Sequence, residues 1–143
     1  MPTDRQATTI WQGDLASGTG QTTLDTTNVA GPFEVSWPSR AEEPKGRTSP
    51  EELLAAAHSA CFSMALSKEL ADMGNPPERL ETSAVVTFVP GTGVTASRIT
   101  VRGTVPGLDT DGFTRAAEAA KTGCPISGAL AGNVDITLDA QLA

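Results

Sequence analysis

The feature that most constrains this chain is a long apolar stretch with marked ends, "TSPEELLAAAHSACFSMALSKELADMGNPP", residues 48–77. Ser49 suits an N-cap, Pro50 suits the first helical position, and Glu52, three residues after Ser49, completes a capping box. Gly74, with Pro76 and Pro77 behind it, stops the helix. Apolar groups fall on most faces between these signals, the composition of a central buried helix rather than a surface one.

No second helix of this kind is present, and strands flank the first. Before it, "QATTIWQGDL", "GTGQTTL" and "PFEVSW" read as short antiparallel strands joined by Gly turns, and residues 38–49, with two Pro, a Gly and a run of charges, read as an exposed loop. After it, "ETSAVVTFVPG" and "ASRITVRGTVPG" alternate as a strand pair with "GTG" near the turn. Residues 109–123 read as a helix, 124–130 as a short one, and 133–142 as a closing strand. With no repeat or linker, residues 1–143 are expected to form a single α+β domain.

Charge narrows the function. A formal net charge of −7 and scattered basic residues argue against sequence-independent binding to nucleic acid or anionic lipid, which needs clustered Lys and Arg. No apolar run fits a signal peptide or a spanning helix, so no membrane association and a cytoplasmic location are expected. In a reducing compartment two Cys do not suggest a structural staple, and with a single His they make a poor zinc set.

At 100° per residue, Glu51, Leu54, His58, Cys61 and Ala65 share one stripe of the long helix. His58 and Cys61 are therefore neighbours, with Cβ atoms roughly 5–6 Å apart. Glu51 lies about 15 Å from Cys61 along the axis and cannot touch it within one helix. Cys124, between Gly123 and Pro125, is a candidate N-cap, where the helix dipole and free amides favour a thiolate. Cys61, in mid-helix, needs a cation nearby for the same effect. Bland readings stand beside these: Cys is a common packing residue, a lone His is usually structural, and acids at a helix start are usually dipole partners.

Taken together, "TSPEELLAAAHSACFSMALS" and "AKTGCPISGAL" resemble the OsmC/Ohr family of thiol-dependent peroxidases, on the OsmC branch. The likeness extends to "WQGD" at residues 11–14, to the charged loop, and to "ITLDAQL" at the end. The resemblance implies the OsmC-like α+β fold, with antiparallel sheets round a long central buried helix, in an intertwined homodimer with active sites at the subunit interface. It also implies reduction of organic hydroperoxides, and more weakly hydrogen peroxide, without metal or flavin.

On that resemblance Cys61 is the peroxidatic thiol and Cys124 the resolving one, closing a Cys61–Cys124 disulfide that an external dithiol, expected to be a lipoyl group on a carrier protein, reopens. Glu51 matches the family's carboxylate and Arg40 its arginine, with Arg47 a competitor for that place. An Arg answers the chemistry, since it favours the thiolate and steadies the departing oxygen, while Glu51 orients it. If two long helices cross antiparallel near residue 56, where Ala55, Ala56 and Ala57 allow close approach, Glu51 of one chain comes level with Cys61 of the other. Phe33, Trp37, Phe62 and Met64 are the candidate apolar substrate contacts, and Trp11 is an equal candidate for the core. The rival functions are a general disulfide oxidoreductase, disfavoured by the lack of Cys-x-x-Cys, and a stress-related binding protein with inert Cys.

Overall fold

The computed structural model describes residues 1–143, and the chain divides into two compact units, Met1–Leu53 and Leu54–Ala143. In the first, β1 (Thr8–Gln12), β2 (Thr19–Thr23) and β3 (Phe33–Val35) form an antiparallel sheet in that order. Trp11 sits opposite Gly20. A Cβ on Gly20 would lie 2.9 Å from the Trp11 ring and 2.9 Å from Val35, so only glycine lets the indole lie across β2.

Residues 38–49 are not all loop. Trp37–Ala41 form a short helix, α1, with Ser36 as N-cap and Ser39 closing a reciprocal box: each side chain bonds the other's backbone amide. A second Ser takes the place usually held by Glu or Gln, and Pro38 falls in the first turn, where its missing N–H costs nothing. The long helix, α2 (Pro50–Asp72), begins in this unit. Ser49 caps it by accepting from the Glu52 amide at 3.2 Å. The Glu52 carboxylate accepts from the Thr48 hydroxyl at 2.6 Å, so its side chain braces the entry to the helix from Thr48 instead of forming the expected reciprocal half of the box.

In the second unit α2 ends in a Schellman motif: the Asn75 amide bonds the Leu70 carbonyl, the Gly74 amide bonds that of Ala71, and Gly74 takes φ +84°. β4 (Arg79–Val89) and β5 (Gly93–Thr104) form a long antiparallel hairpin. The chain then crosses over through α3 (Thr110–Gly123) and α4 (Pro125–Leu130), and β6 (Asp135–Leu142) joins the free edge of β5 in parallel. This corrects the all-antiparallel expectation. Alternation reports only which face of a strand is buried, and a two-helix crossover returns the chain to the end of the sheet from which β5 started.

The core of this unit joins Phe62, Leu66 and Leu70 of α2 to Ile99 and Val101 of β5 and to Phe113, Ala116, Ala117 and Ala120 of α3. α2 is buried along one stripe only. Ala56, Ala57, Ala60 and Met64 are exposed in the single chain. Packing a helix against a sheet covers one side of it, and the opposite apolar face has no cover in this chain. No helix is long and apolar enough to cross a membrane.

Candidate active site

Two polar constellations stand out, one in each unit. In the first unit α1 carries Arg40, and the Ser39 hydroxyl donates to the Thr48 carbonyl at 3.1 Å, tying α1 to the segment that enters α2. Residues eleven apart in sequence thereby meet. Arg40 Nε donates to both Glu51 oxygens, at 3.0 and 3.2 Å, and Nη2 donates to Oε1 at 2.7 Å. The Glu51 side chain is only 8% exposed and that of Arg40 31%, so the carboxylate depends on the guanidinium more than the reverse. Such a fork fixes the plane and direction of the cation.

Beside this pair lies an apolar cleft of about 330 Å³. Trp11, Leu15, Val35, Trp37 and Leu53 line it, and Arg40 supplies its charge. The arrangement suits a ligand with an apolar body and a polar end.

In the second unit the two Cys are free, and their sulfurs are 3.0 Å apart. α2 delivers Cys61, which is half-buried, and the α3–α4 junction delivers Cys124, which is 1% exposed. Cys124 ends α3 and is the N-cap of α4, because Pro125 cannot continue the first helix and is pre-set to start the next. The two thiols are driven apart in acidity. At Cys124 burial is the largest single influence and pushes the thiol up, yet the hydrogen bond shared with Cys61, the amide and hydroxyl of Ser127 and the Ile126 amide together pull it below its ordinary value. Cys61 is pushed up, first by burial and then by its bond and charge interaction with Cys124, while the Ile126 amide opposes. The N-cap thiol thus holds its proton less firmly and the mid-helix thiol more firmly, as helix geometry predicts.

His58, one turn before Cys61, is fully buried and bonded at both ring nitrogens. Nδ1 lies 2.7 Å from Ser97 Oγ on β5 and Nε2 lies 2.8 Å from Ser127 Oγ on α4. Burial lowers its pKa, so the ring is held neutral, with one N–H and one bare nitrogen. No cluster of three or more His, Cys, Asp or Glu is placed to hold a metal ion.

The family described as OsmC-like protein matches residues 43–139. The chain belongs to the OsmC family. It is 38% identical over 135 residues to Peroxiredoxin OsmC of Escherichia coli K12, covering 92% of each chain. Among solved structures it is similar to the organic hydroperoxide resistance protein OhrB of Bacillus subtilis, at 27% identity and TM-score 0.68 over 95% of this chain and 98% of that one. An OsmC-like protein of Mycoplasma pneumoniae, at 12% identity, shares the fold with TM-score 0.75 over 100% of this chain and 99% of that one.

Of the residues picked out from the sequence of this OsmC-family chain, the structure brings Arg40 to Glu51 and Cys61 to Cys124. Arg47 lies instead on the surface, 3.6 Å from Glu34. Trp37 lines the cleft, and so does Trp11, but three of the expected apolar contacts do not. Phe33 is half-buried on β3, Phe62 is sealed in the core at 0% exposure, and Met64 is exposed. Phe62 and Met64 flank Cys61 in sequence but point to different faces of α2, as successive helical residues do. Ser97 and Ser127 were missed. Ser127 had a signal, since it stands three residues after the Cys124 N-cap; Ser97 had none, its partner being 39 residues away.

Proposed function

We propose that this chain reduces organic hydroperoxides to alcohols, and hydrogen peroxide more weakly to water, through paired thiols. The observation that carries the reading is two free sulfurs 3.0 Å apart, one reachable and one sealed, in an OsmC-family chain. Cys61, the reachable one, attacks the distal peroxide oxygen as a thiolate; the O–O bond breaks, the alkoxide leaves and takes a proton, and Cys61 becomes a sulfenic acid. Cys124 then attacks the Cys61 sulfur, an S–S bond replaces the S–O bond, and the oxygen leaves as water. An external dithiol, with a lipoyl group on a carrier protein as the expected donor, reduces the disulfide and is itself oxidised. No bound cofactor takes part.

In this proposal Arg40, held by Glu51, acts on Cys61 of the other subunit of a homodimer, because about 15 Å of helix separates Glu51 from Cys61 within one chain. Its charge offsets the effects that push the Cys61 thiol up and steadies the departing oxygen. The bidentate pair supports the hold of Glu51 on Arg40. Of the expected apolar substrate contacts, Trp37 lines the cleft beside Arg40, which supports its part in the reading. A homodimer belongs to the same reading, supported by the uncovered face of α2 with Ala56, Ala57, Ala60 and Met64.

The test compares cumene hydroperoxide and hydrogen peroxide turnover with dihydrolipoamide for wild type, Cys61→Ser and Cys124→Ser. Cys61→Ser should lose turnover entirely, whereas Cys124→Ser should react once and accumulate a sulfenic acid that dimedone traps. Equal activity in all three proteins would end the proposal.

A further inference from the structure

His58 is the buried titratable group that the reaction above does not use, and its placement repeats that of the cysteines. α2 carries His58 and Cys61 three residues apart, and α4 with its N-cap carries Cys124 and Ser127 three residues apart. The two pairs meet as two rungs between the same two segments: sulfur to sulfur at 3.0 Å, and His58 Nε2 to Ser127 Oγ at 2.8 Å. Residues at this spacing are neighbours on a helix surface, so the second rung fixes the register of the first. Nδ1 is anchored on Ser97 of the sheet, which leaves the ring no freedom to turn.

We infer that His58 is a positioning residue for the resolving cysteine: its bond to Ser127 holds α4 against α2 with the Cys124 sulfur at Cys61 and aims the Ser127 hydroxyl at that sulfur. With the ring proton on Nε2, the tautomer this role requires, Ser97 donates to Nδ1 and Nε2–H donates to Ser127 Oγ, which leaves the Ser127 O–H to donate to Cys124. Every donor then points the same way, toward the atom that must carry negative charge when it attacks. In that step the Cys124 thiolate forms the S–S bond, the S–O bond of the Cys61 sulfenic acid breaks, and the proton that Cys124 gave up leaves with the oxygen as water. The inference rests on Cys124 being the resolving thiol.

Two near-isosteric variants separate positioning from packing, because the amide of Asn can take the place of Nδ1 and that of Gln the place of Nε2. His58→Gln keeps a partner for Ser127, and His58→Asn keeps one for Ser97. After one equivalent of cumene hydroperoxide, His58→Asn should close the Cys61–Cys124 disulfide about tenfold more slowly than wild type, the loss expected for one hydrogen bond that aids the attacking group. His58→Gln should stay near the wild-type rate, and dimedone trapping of oxidised Cys61 should rise in His58→Asn but not in His58→Gln. Ser127→Ala deletes the His58–Ser127 bond and the Ser127 donor to Cys124 without touching the imidazole, and should slow closure at least as much as His58→Asn even where that variant folds poorly. A parallel series with diamide as oxidant reads disulfide closure without peroxide, so a protein that consumes no peroxide overturns the peroxidase reading and leaves this one measurable. Equal slowing in His58→Gln and His58→Asn, or a wild-type closure rate in Ser127→Ala, overturns the inference.

Discussion

Oxidation by one equivalent of hydroperoxide should make the second unit markedly harder to unfold, and the size of the gain follows from where the sulfurs lie. Cys61 and Cys124 are 63 residues apart in sequence, and their sulfurs are 3.0 Å apart. A disulfide needs them about 1 Å closer, a shift that side-chain rotation supplies, so little native geometry is lost. Cross-linking a loop of this length removes chain entropy from the unfolded state worth about 4 kcal/mol at 25 °C. For a chain of this size that corresponds to a rise in Tm on the order of 10 °C. Urea and thermal unfolding of the reduced and oxidised protein measure it, with non-reducing electrophoresis to establish that the bond is internal. Cys124→Ser, treated identically, should gain nothing. An oxidised wild type no more stable than the reduced form, or one that is mainly covalent dimer, would refute the reasoning that these two sulfurs are each other's partners.

Arg40→Ala should destabilise the first unit by about 2–4 kcal/mol and Glu51→Ala by only about 1 kcal/mol, because the first strands a buried carboxylate while the second leaves a guanidinium that reaches water; urea titrations giving the opposite order would contradict this. Gly103→Ala should cost about 1–3 kcal/mol, since its Cβ would lie 2.5 Å from the enclosed Phe113 ring, and Phe113→Leu in the same protein should return part of the loss. His58 has a pKa below its ordinary value of 6.5 because it is buried. The unfolded chain therefore binds a proton that the folded one refuses, so the stability His58 contributes is whole above about pH 6.5 and is lost as pH falls through the depressed folded value. The unfolding free-energy gap between wild type and His58→Gln should narrow between pH 8 and pH 5, and a gap independent of pH would show that His58 stays equally protonated in both states.

Local signals made most of the fold legible. The caps at Ser49 and Gly74 bound α2 in the sequence as they do in the structure, and Asp109, Gly123 and Pro125 divide the helices of the crossover where their chemistry says they must. α1 escaped because its box pairs Ser36 with Ser39 rather than with Glu or Gln, and five residues are too few to show a period. The parallel seat of β6 escaped because inward and outward alternation is the same for either direction of pairing.

The thiol pair and the Arg40–Glu51 pair show the same division. Residue type, helix spacing and the chain's resemblance to the OsmC/Ohr family pointed to Cys61, Cys124, Arg40 and Glu51, and the position of Cys124 at a helix junction told that its thiol is the more acidic. These are properties of one residue and its neighbours along the chain. Which arginine meets Glu51, that His58 is closed between Ser97 and Ser127, that Phe62 is core and Trp11 lines the cleft, only the tertiary structure decided. Each of these depends on side chains 11 to 69 residues apart in sequence, and no local rule carries the distance between them.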